Sequence, residues 1–166
     1  MFAELVMELE SLDAGSLARA DAEAALARSS CVRRWLDGLD LRLTARVSAC
    51  ADRDPASKPA EESVATATRT SPRAARRVVR RAKAAARLPE LSEQLGSGGV
   101  SGEHVDVVSQ ALARLPADRR ERFAREYGSR IAAAAARSTP DELRVVVERW
   151  VREFDGSDGI DRLASQ

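Results

Sequence analysis

The sequence predicts an all-α protein that folds as one domain of six or seven helices. Three observations favour this class. Alanine, the strongest helix former, is abundant, β-branched residues are few outside two valine clusters, and no segment alternates apolar and polar residues as a half-buried strand does. With 166 residues, 44% of them hydrophobic, the chain can build one core, whereas two domains would be cramped.

The predicted domain organisation has four parts. Residues 1–54 hold the N-terminal helices, residues 55–60 form a linker, residues 61–159 form a second helical region, and residues 160–166 form a frayed tail. The linker is predicted from two nearby prolines, Pro55 and Pro59, in a stretch without apolar periodicity.

A long helix over residues 17–51 is the predicted spine of the fold, after a short amphipathic helix over residues 2–12. Apolar residues recur along it in steps of three and four, which predicts a seam packed against neighbouring helices. The seam residues are Val32, Trp35, Leu39, Leu43, Val47 and Cys50. Gly38 indicates a bend or a close helix crossing. Asp37 and Asp40 alternate with arginines on the other face, and this mixture of signs is typical of solvated surface.

A short helix over residues 61–68, a turn at Thr70 and Ser71, and a second helix follow the linker. Ser71 is a good N-cap, Pro72 suits the first helical position, and Pro89 ends the helix. This outline is that of helix-turn-helix DNA readers, whose second helix enters the major groove. Any αα-hairpin shares the outline, so the charge of the second helix carries the argument.

The second helix of this hairpin is strongly basic. Between Arg69 and Arg87 there are eight basic residues and no acidic one, which leaves 19 basic residues against 26 acidic ones elsewhere. Those that lie on the predicted helix fall within an arc of roughly 160°. Such a face attracts polyanions. The predicted nucleic-acid-binding residues are Arg69, Arg73, Arg76, Arg77, Arg80, Arg81, Lys83 and Arg87.

Two other interpretations of the basic helix stay open. An arginine-rich face can dock an acidic protein surface, or can be solvated while its stems cover apolar surface. Solvated helices usually mix charge signs, however, and this one carries no carboxylate. DNA is therefore the predicted partner, and a helical protein-interaction or oligomerisation module is the alternative.

The rest of the chain is predicted to form helices with apolar stripes. A helical turn over residues 90–95 ends in a glycine-rich corner, and helices over residues 102–115 and 116–136 follow. The last helix begins at the capping box Thr139-Pro140-Asp141-Glu142 and ends at residues 155–159. The stripe residues are Val105, Val108, Leu112 and Leu115, then Phe123, Tyr127 and Ile131, then Leu143, Val146 or Val147, Trp150 and Phe154.

No catalytic, cofactor or metal site is predicted. His104 is the single histidine and is expected at the surface. No asparagine, cysteine or second histidine is placed to form a relay or a metal site with it.

No apolar run approaches the ~20 residues of a membrane span, and the N-terminus lacks the pattern of a signal peptide. Cys31 and Cys50, too far apart on one helix to bridge, are expected as buried thiols. These features predict a cytoplasmic protein that is not an enzyme and does not contact membranes.

A series of short motifs resembles a known family. The motifs are Ser63-Val64-Ala65, Thr70-Ser71-Pro72-Arg73-Ala74-Ala75-Arg76-Arg77, Ala82-Lys83-Ala84-Ala85-Ala86-Arg87-Leu88-Pro89-Glu90-Leu91, Gly99-Val100-Ser101-Gly102-Glu103-His104-Val105, Ala111-Leu112-Ala113-Arg114-Leu115-Pro116 and Thr139-Pro140-Asp141-Glu142-Leu143. Their order and spacing resemble a large actinobacterial family classed as a domain of unknown function, number two hundred and twenty-two, also called the thirteen-E-twelve repeat family.

The resemblance implies an all-helical region that in many members precedes an HNH nuclease domain, often in mobile-element or phage-related settings. It implies no established activity for this region itself. Two departures stand out. Ala67-Thr68 replaces a tryptophan that many members carry in the hairpin, and one histidine without any asparagine cannot form an HNH site. The resemblance therefore implies either a fragment of a longer protein or a short relative, with self-association or a nuclease domain as further possible partners.

Overall fold

The structure, a computed structural model, describes residues 2–54 and 56–164, which form helices and no strand. The all-α prediction is confirmed. The helices in these residues are α1 (Phe2–Glu10), α2 (Arg19–Ala51), α3 (Ala60–Thr68), α4 (Pro72–Ala85), α5 (Pro89–Gly96), α6 (Gly102–Arg114), α7 (Ala117–Ala135) and α8 (Pro140–Ala164).

The described residues form eight helices instead of the predicted six or seven. The additional one is α5, because Pro89 begins a complete eight-residue helix where the sequence indicated a single turn. Burial of Leu91 and Leu95, at 0% and 1% exposure, stabilises this short helix.

The predicted end of the last helix at residues 155–159 is also wrong, since α8 continues to Ala164. A glycine such as Gly156 costs a helix about 1 kcal/mol but does not stop it as a proline does. Residues 165 and 166 of the predicted tail lie outside the described residues.

The main core lies between α6, α7 and α8 and extends to α4 and α5. An aromatic cluster stands at its α7–α8 side, where the rings of Phe123 and Tyr127 stack at 4.7 Å and Phe123 meets Phe154 edge-on at 5.3 Å. The apolar stripes predicted for α6, α7 and α8 are confirmed as buried, with Val147 rather than Val146 as the fully buried valine.

The predicted capping box of α8 is also present, because the Thr139 N–H donates to Glu142 Oε2 at 2.8 Å. That backbone hydrogen bond, with a second from the Thr139 hydroxyl, lowers the pKa of Glu142.

The predicted seam of α2 is not its buried face, although one of its residues, Val47, packs against the apolar cluster of α3 and α4. The buried residues of α2 are Gly38, Leu41, Thr44 and Ser48. Leu43, a predicted seam residue, is 56% exposed, and Leu36, two helical turns earlier, is 44% exposed. At 100° per residue, the apolar line through Leu36 and Leu43 lies roughly 150° from the centre of the buried face. Leu36 and Leu43 therefore lie on the side of α2 away from the core, whereas Leu41 lies in it.

Gly38 explains which face of α2 is buried. A Cβ placed on Gly38 would lie 2.8 Å from the carbonyl oxygen of Leu95 and 3.0 Å from Cα of Gly96. The backbone of α5 thus crosses α2 at the one residue without a side chain, and the close crossing expected at Gly38 is confirmed. Because this contact involves backbone atoms, it sets the rotation of α2 more strictly than a leucine seam does.

His104 and Cys50 also differ from expectation. His104 is 8% exposed instead of lying at the surface. Its Nδ1 accepts the Ser101 N–H at 3.2 Å and its Nε2 donates to the Ser138 carbonyl at 2.9 Å, so the ring caps α6 and joins it to the turn before α8. This second bond comes from a distant segment, which local sequence does not reveal. Cys50 is exposed and Cys31 is partly buried. The prediction of a buried thiol is therefore wrong for Cys50.

We expect Gly38→Ala to destabilise the protein by about 1–3 kcal/mol, although alanine favours helix formation, because its methyl group would force α2 and α5 apart. Gly156→Ala is the matched control, since a Cβ there meets nothing within 4 Å. The control should be neutral or stabilising by up to about 1 kcal/mol. Urea denaturation followed by circular dichroism measures both. Equal effects of the two variants would contradict a close crossing at Gly38.

Candidate nucleic-acid interface

The hairpin of α3 and α4 holds the basic segment in a defined orientation. Arg69 ends α3 in the left-handed conformation, at φ 52°. Ser71 then caps α4, as predicted, with its Oγ accepting the Ala74 N–H at 3.2 Å. The two helices pack through Val64 on α3 and through Ala75 and Val79 on α4. Because these residues are buried, the cations on the other side of α4 are exposed, whereas Arg81 at the edge of that side is partly buried.

Six of the eight predicted cations are exposed. Five of them lie along α4 and Arg69 lies at the turn before it. Among the described residues, no ion pair holds any of these six side chains, and Glu62 pairs with Lys58 instead. The six are Arg69, Arg73, Arg76, Arg77, Arg80 and Lys83.

The remaining two predicted cations are engaged in ion pairs between helices. Arg81 is 15% exposed and pairs with Asp106 of α6, with Nε 2.9 Å from Oδ1. Arg87 is 35% exposed, and its Nε lies 2.6 Å from Oε1 of Glu121 on α7. The structure thus separates these two arginines, which hold helices together, from the six that face solvent.

Arg81 belongs to a polar network that joins α2, α4 and α6. At the start of α6, the Gly102 N–H donates to Oδ2 of Asp37 at 2.9 Å. A methyl group on Gly102 would collide with the guanidinium, whose Cζ would lie 2.9 Å away. Burial by itself would lower the pKa of Arg81, but hydrogen bonding and the charges of Asp106, Asp37 and Glu103 raise it. Asp37, expected as solvated surface, therefore has a structural role.

Each side of the basic face is lined by one carboxylate. On the α3 side, Glu61 lines an open cleft together with Arg73, Arg76 and Arg80. On the α6 side, Ser109 and Gln110 line a second cleft with Arg77, Arg80, Asp106 and Ala113. Sequence reasoning missed Ser109 and Gln110, since nothing in their own helix marks them and only the packing of α6 on α4 brings them to the arginines. A polyanion therefore meets one carboxylate on each side, and the carboxylate on the α6 side, Asp106, is paired with Arg81.

Comparison with known proteins matches the chain to a family. A family model described as "Domain of unknown function (DUF222)" matches residues 23–164. No curated protein and no solved structure matches the chain. Among the described residues, no three histidine, cysteine or carboxylate side chains are grouped to hold a metal ion. None of the described helices is long and apolar enough to cross a membrane.

Adjacent arginines on α4 should behave differently when replaced. Arg81→Ala should destabilise the protein by about 2–4 kcal/mol, because it leaves Asp106 half-buried without its cation. Arg80→Ala, one residue away, should change the free energy of unfolding by less than about 0.5 kcal/mol. Thermal and urea denaturation of both variants tests this difference. Similar losses would show that the Arg81–Asp106 pair does not hold the helices together.

Proposed function

Because the chain belongs to the DUF222 family, whose function is not known, we propose from its surface that it is a non-catalytic DNA-binding domain. The observation that carries the proposal is the exposed basic face of α4, in which five cations stand free of ion pairs while the opposite face is buried. Spread over ten residues of helix, these cations span about 15 Å. Duplex DNA presents phosphates over such a distance on both sides of a groove.

The surroundings of the basic face favour phosphate over a protein partner. Protein interfaces depend on apolar or aromatic anchors at their centre. Among the described residues, the large exposed hydrophobic side chains lie on α1, α2 and α8, and none lies on α3 or α4. Arginine, which supplies four of the five α4 cations, forms paired hydrogen bonds with phosphate oxygens. A cationic surface without an apolar centre suits a nucleic-acid backbone.

The hairpin geometry supports a mode of binding. Three residues separate α3 from α4, and Arg69 projects from that turn. In this mode α4 lies in or along the major groove while the turn contacts the backbone, as in helix-turn-helix proteins. We further propose that in longer actinobacterial relatives this domain holds DNA for an HNH nuclease domain encoded after it, and that it works in the cytoplasm. This wider context rests on the family resemblance and not on the geometry of α4.

Salt dependence tests the proposal most directly. If all five α4 cations contact phosphates, log affinity for a labelled duplex should fall against log salt with a slope of about −4.5. Replacing Arg73, Arg77 and Arg80 together with alanine should reduce that slope to about −2, while helicity stays unchanged. Fluorescence anisotropy at several salt concentrations measures both slopes.

A charge-matched control separates the α4 face from overall charge. Arg125, Arg137 and Arg152 are exposed and lie on or next to α7 and α8. Replacing these three with alanine removes the same charge and should leave the slope close to that of the unmodified protein. Absence of duplex binding at low salt would overturn the proposal, as would equal slopes for the two triple variants. Binding of an acidic polypeptide but not of DNA would point to the protein-interaction alternative.

A further inference from the structure

The N-terminal helices carry an apolar surface that the DNA proposal does not use. Of the six large hydrophobic residues exposed among the described residues, five lie on α1 and α2. They are Val6, Met7, Leu26, Leu36 and Leu43. Within α2, the buried residues begin only at Gly38, so the first half of this 33-residue helix has no residue in the core. α1 packs against α2 and leaves part of this surface open.

On α2, the open surface forms a continuous stripe. Leu36 and Leu43 stand two turns apart on one line of the helix, and Val32 and Leu39, both half-buried, lie beside them. We call these four residues the α2 stripe. It lies nearly opposite the buried face around Leu41, so α2 has one apolar side in the core and another facing outwards. A helix with two apolar sides usually has a second packing partner.

α1 likewise has two apolar sides. Leu5 and Leu9 are half-buried, as expected of the side that packs on α2. Val6 and Met7 on the outer side are 46% and 69% exposed. α1 is also acidic, because it carries three glutamates and no basic residue. Glu8 pairs with Arg28 of α2 in the same protomer, whereas Glu10 is exposed and lies between Val6 and Met7 around the helix.

We propose that the protein self-associates as a two-fold dimer in which the outer side of α1 of each protomer packs on the α2 stripe of the other. Charge complementarity selects a second copy as the occupant. Arg33 and Arg46, both exposed, lie on opposite sides of the α2 stripe, with Asp40 as the one acidic residue between them along the helix edge. Glu10 of α1 and the arginines beside the stripe belong to the same chain, so one two-fold axis satisfies both contacts.

The size of the surface fits a dimer of moderate affinity. The exposed parts of Val6, Met7, Leu36 and Leu43 together amount to roughly 400 Å² per protomer, divided between α1 and the α2 stripe. This apolar area is about half of the ~800 Å² that each partner buries in a standard interface, as expected of a reversible contact. A dissociation constant of roughly 1–100 μM is expected for such a contact.

Analytical ultracentrifugation of the full chain, without DNA, tests the proposal. Sedimentation from about 1 to 500 μM should show a monomer–dimer equilibrium for the unmodified protein. Replacing Leu36 and Leu43 together with glutamate should weaken association at least ~100-fold while circular dichroism remains unchanged. Val145→Glu is the matched control, because Val145 on α8 is 69% exposed and lies outside the proposed contact. A monomer at every concentration, or equal weakening by the control, overturns the proposal.

A charge-reversal experiment tests the pairing of α1 with the stripe. One variant carries Glu10→Arg, and the other carries Arg33→Glu and Arg46→Glu. Each alone should associate at least ~10-fold more weakly than the unmodified protein, whereas their mixture should form a heterodimer with restored affinity. A mixture no stronger than either variant alone overturns the proposed pairing. Neither outcome depends on DNA binding, so this proposal and the one for α4 fail independently.

Discussion

The half-buried ion pair between Arg81 and Asp106 sets the position of α4, on which the proposed interface depends. Removing a guanidinium and a carboxylate from water is unfavourable unless each keeps hydrogen-bond partners. Here Asp106 receives two hydrogen bonds from Arg81, and Asp37 adds a second negative charge nearby. Gly102 leaves room for the guanidinium at the start of α6. The same arrangement therefore joins three helices and prevents α4 from rotating its exposed arginines towards the core.

Small residues, more than large ones, determine how these helices pack. Gly38 leaves room for the backbone of α5. A Cβ on Gly128 would lie 3.4 Å from the Leu88 side chain. On α4 the residues buried within the fold are alanines and one valine. Close approach of backbones compensates for the few aromatic side chains, since contact area then comes from many short side chains. It also allows a 14-residue helix to be buried on one side while its long arginines extend into solvent.

The two proposals assign different surfaces to different parts of the chain. The α4 face is cationic and lacks exposed large apolar residues, whereas the α1–α2 surface is apolar with charges at its edges. Phosphate binding and self-association need these opposite properties, so neither surface suits the other role. A dimer of the proposed kind carries two basic helices, one on each protomer. Binding by both helices at once would raise the overall affinity without any new contact, provided that their spacing matches the DNA.

By itself the sequence determined the elements whose causes are local. Ser71 and Pro72 begin α4, Thr139 and Glu142 begin α8, and the stripes of α6 to α8 predict their buried sides, because capping and periodicity act within one or two turns. Only the tertiary structure decided which side of α2 is buried and which arginines are free. Arg80 and Arg81 are identical neighbours in sequence, yet one faces solvent and the other pairs with Asp106, 25 residues further along the chain. Burial and ion pairing depend on which segments meet in space, and no local pattern around either arginine specifies that.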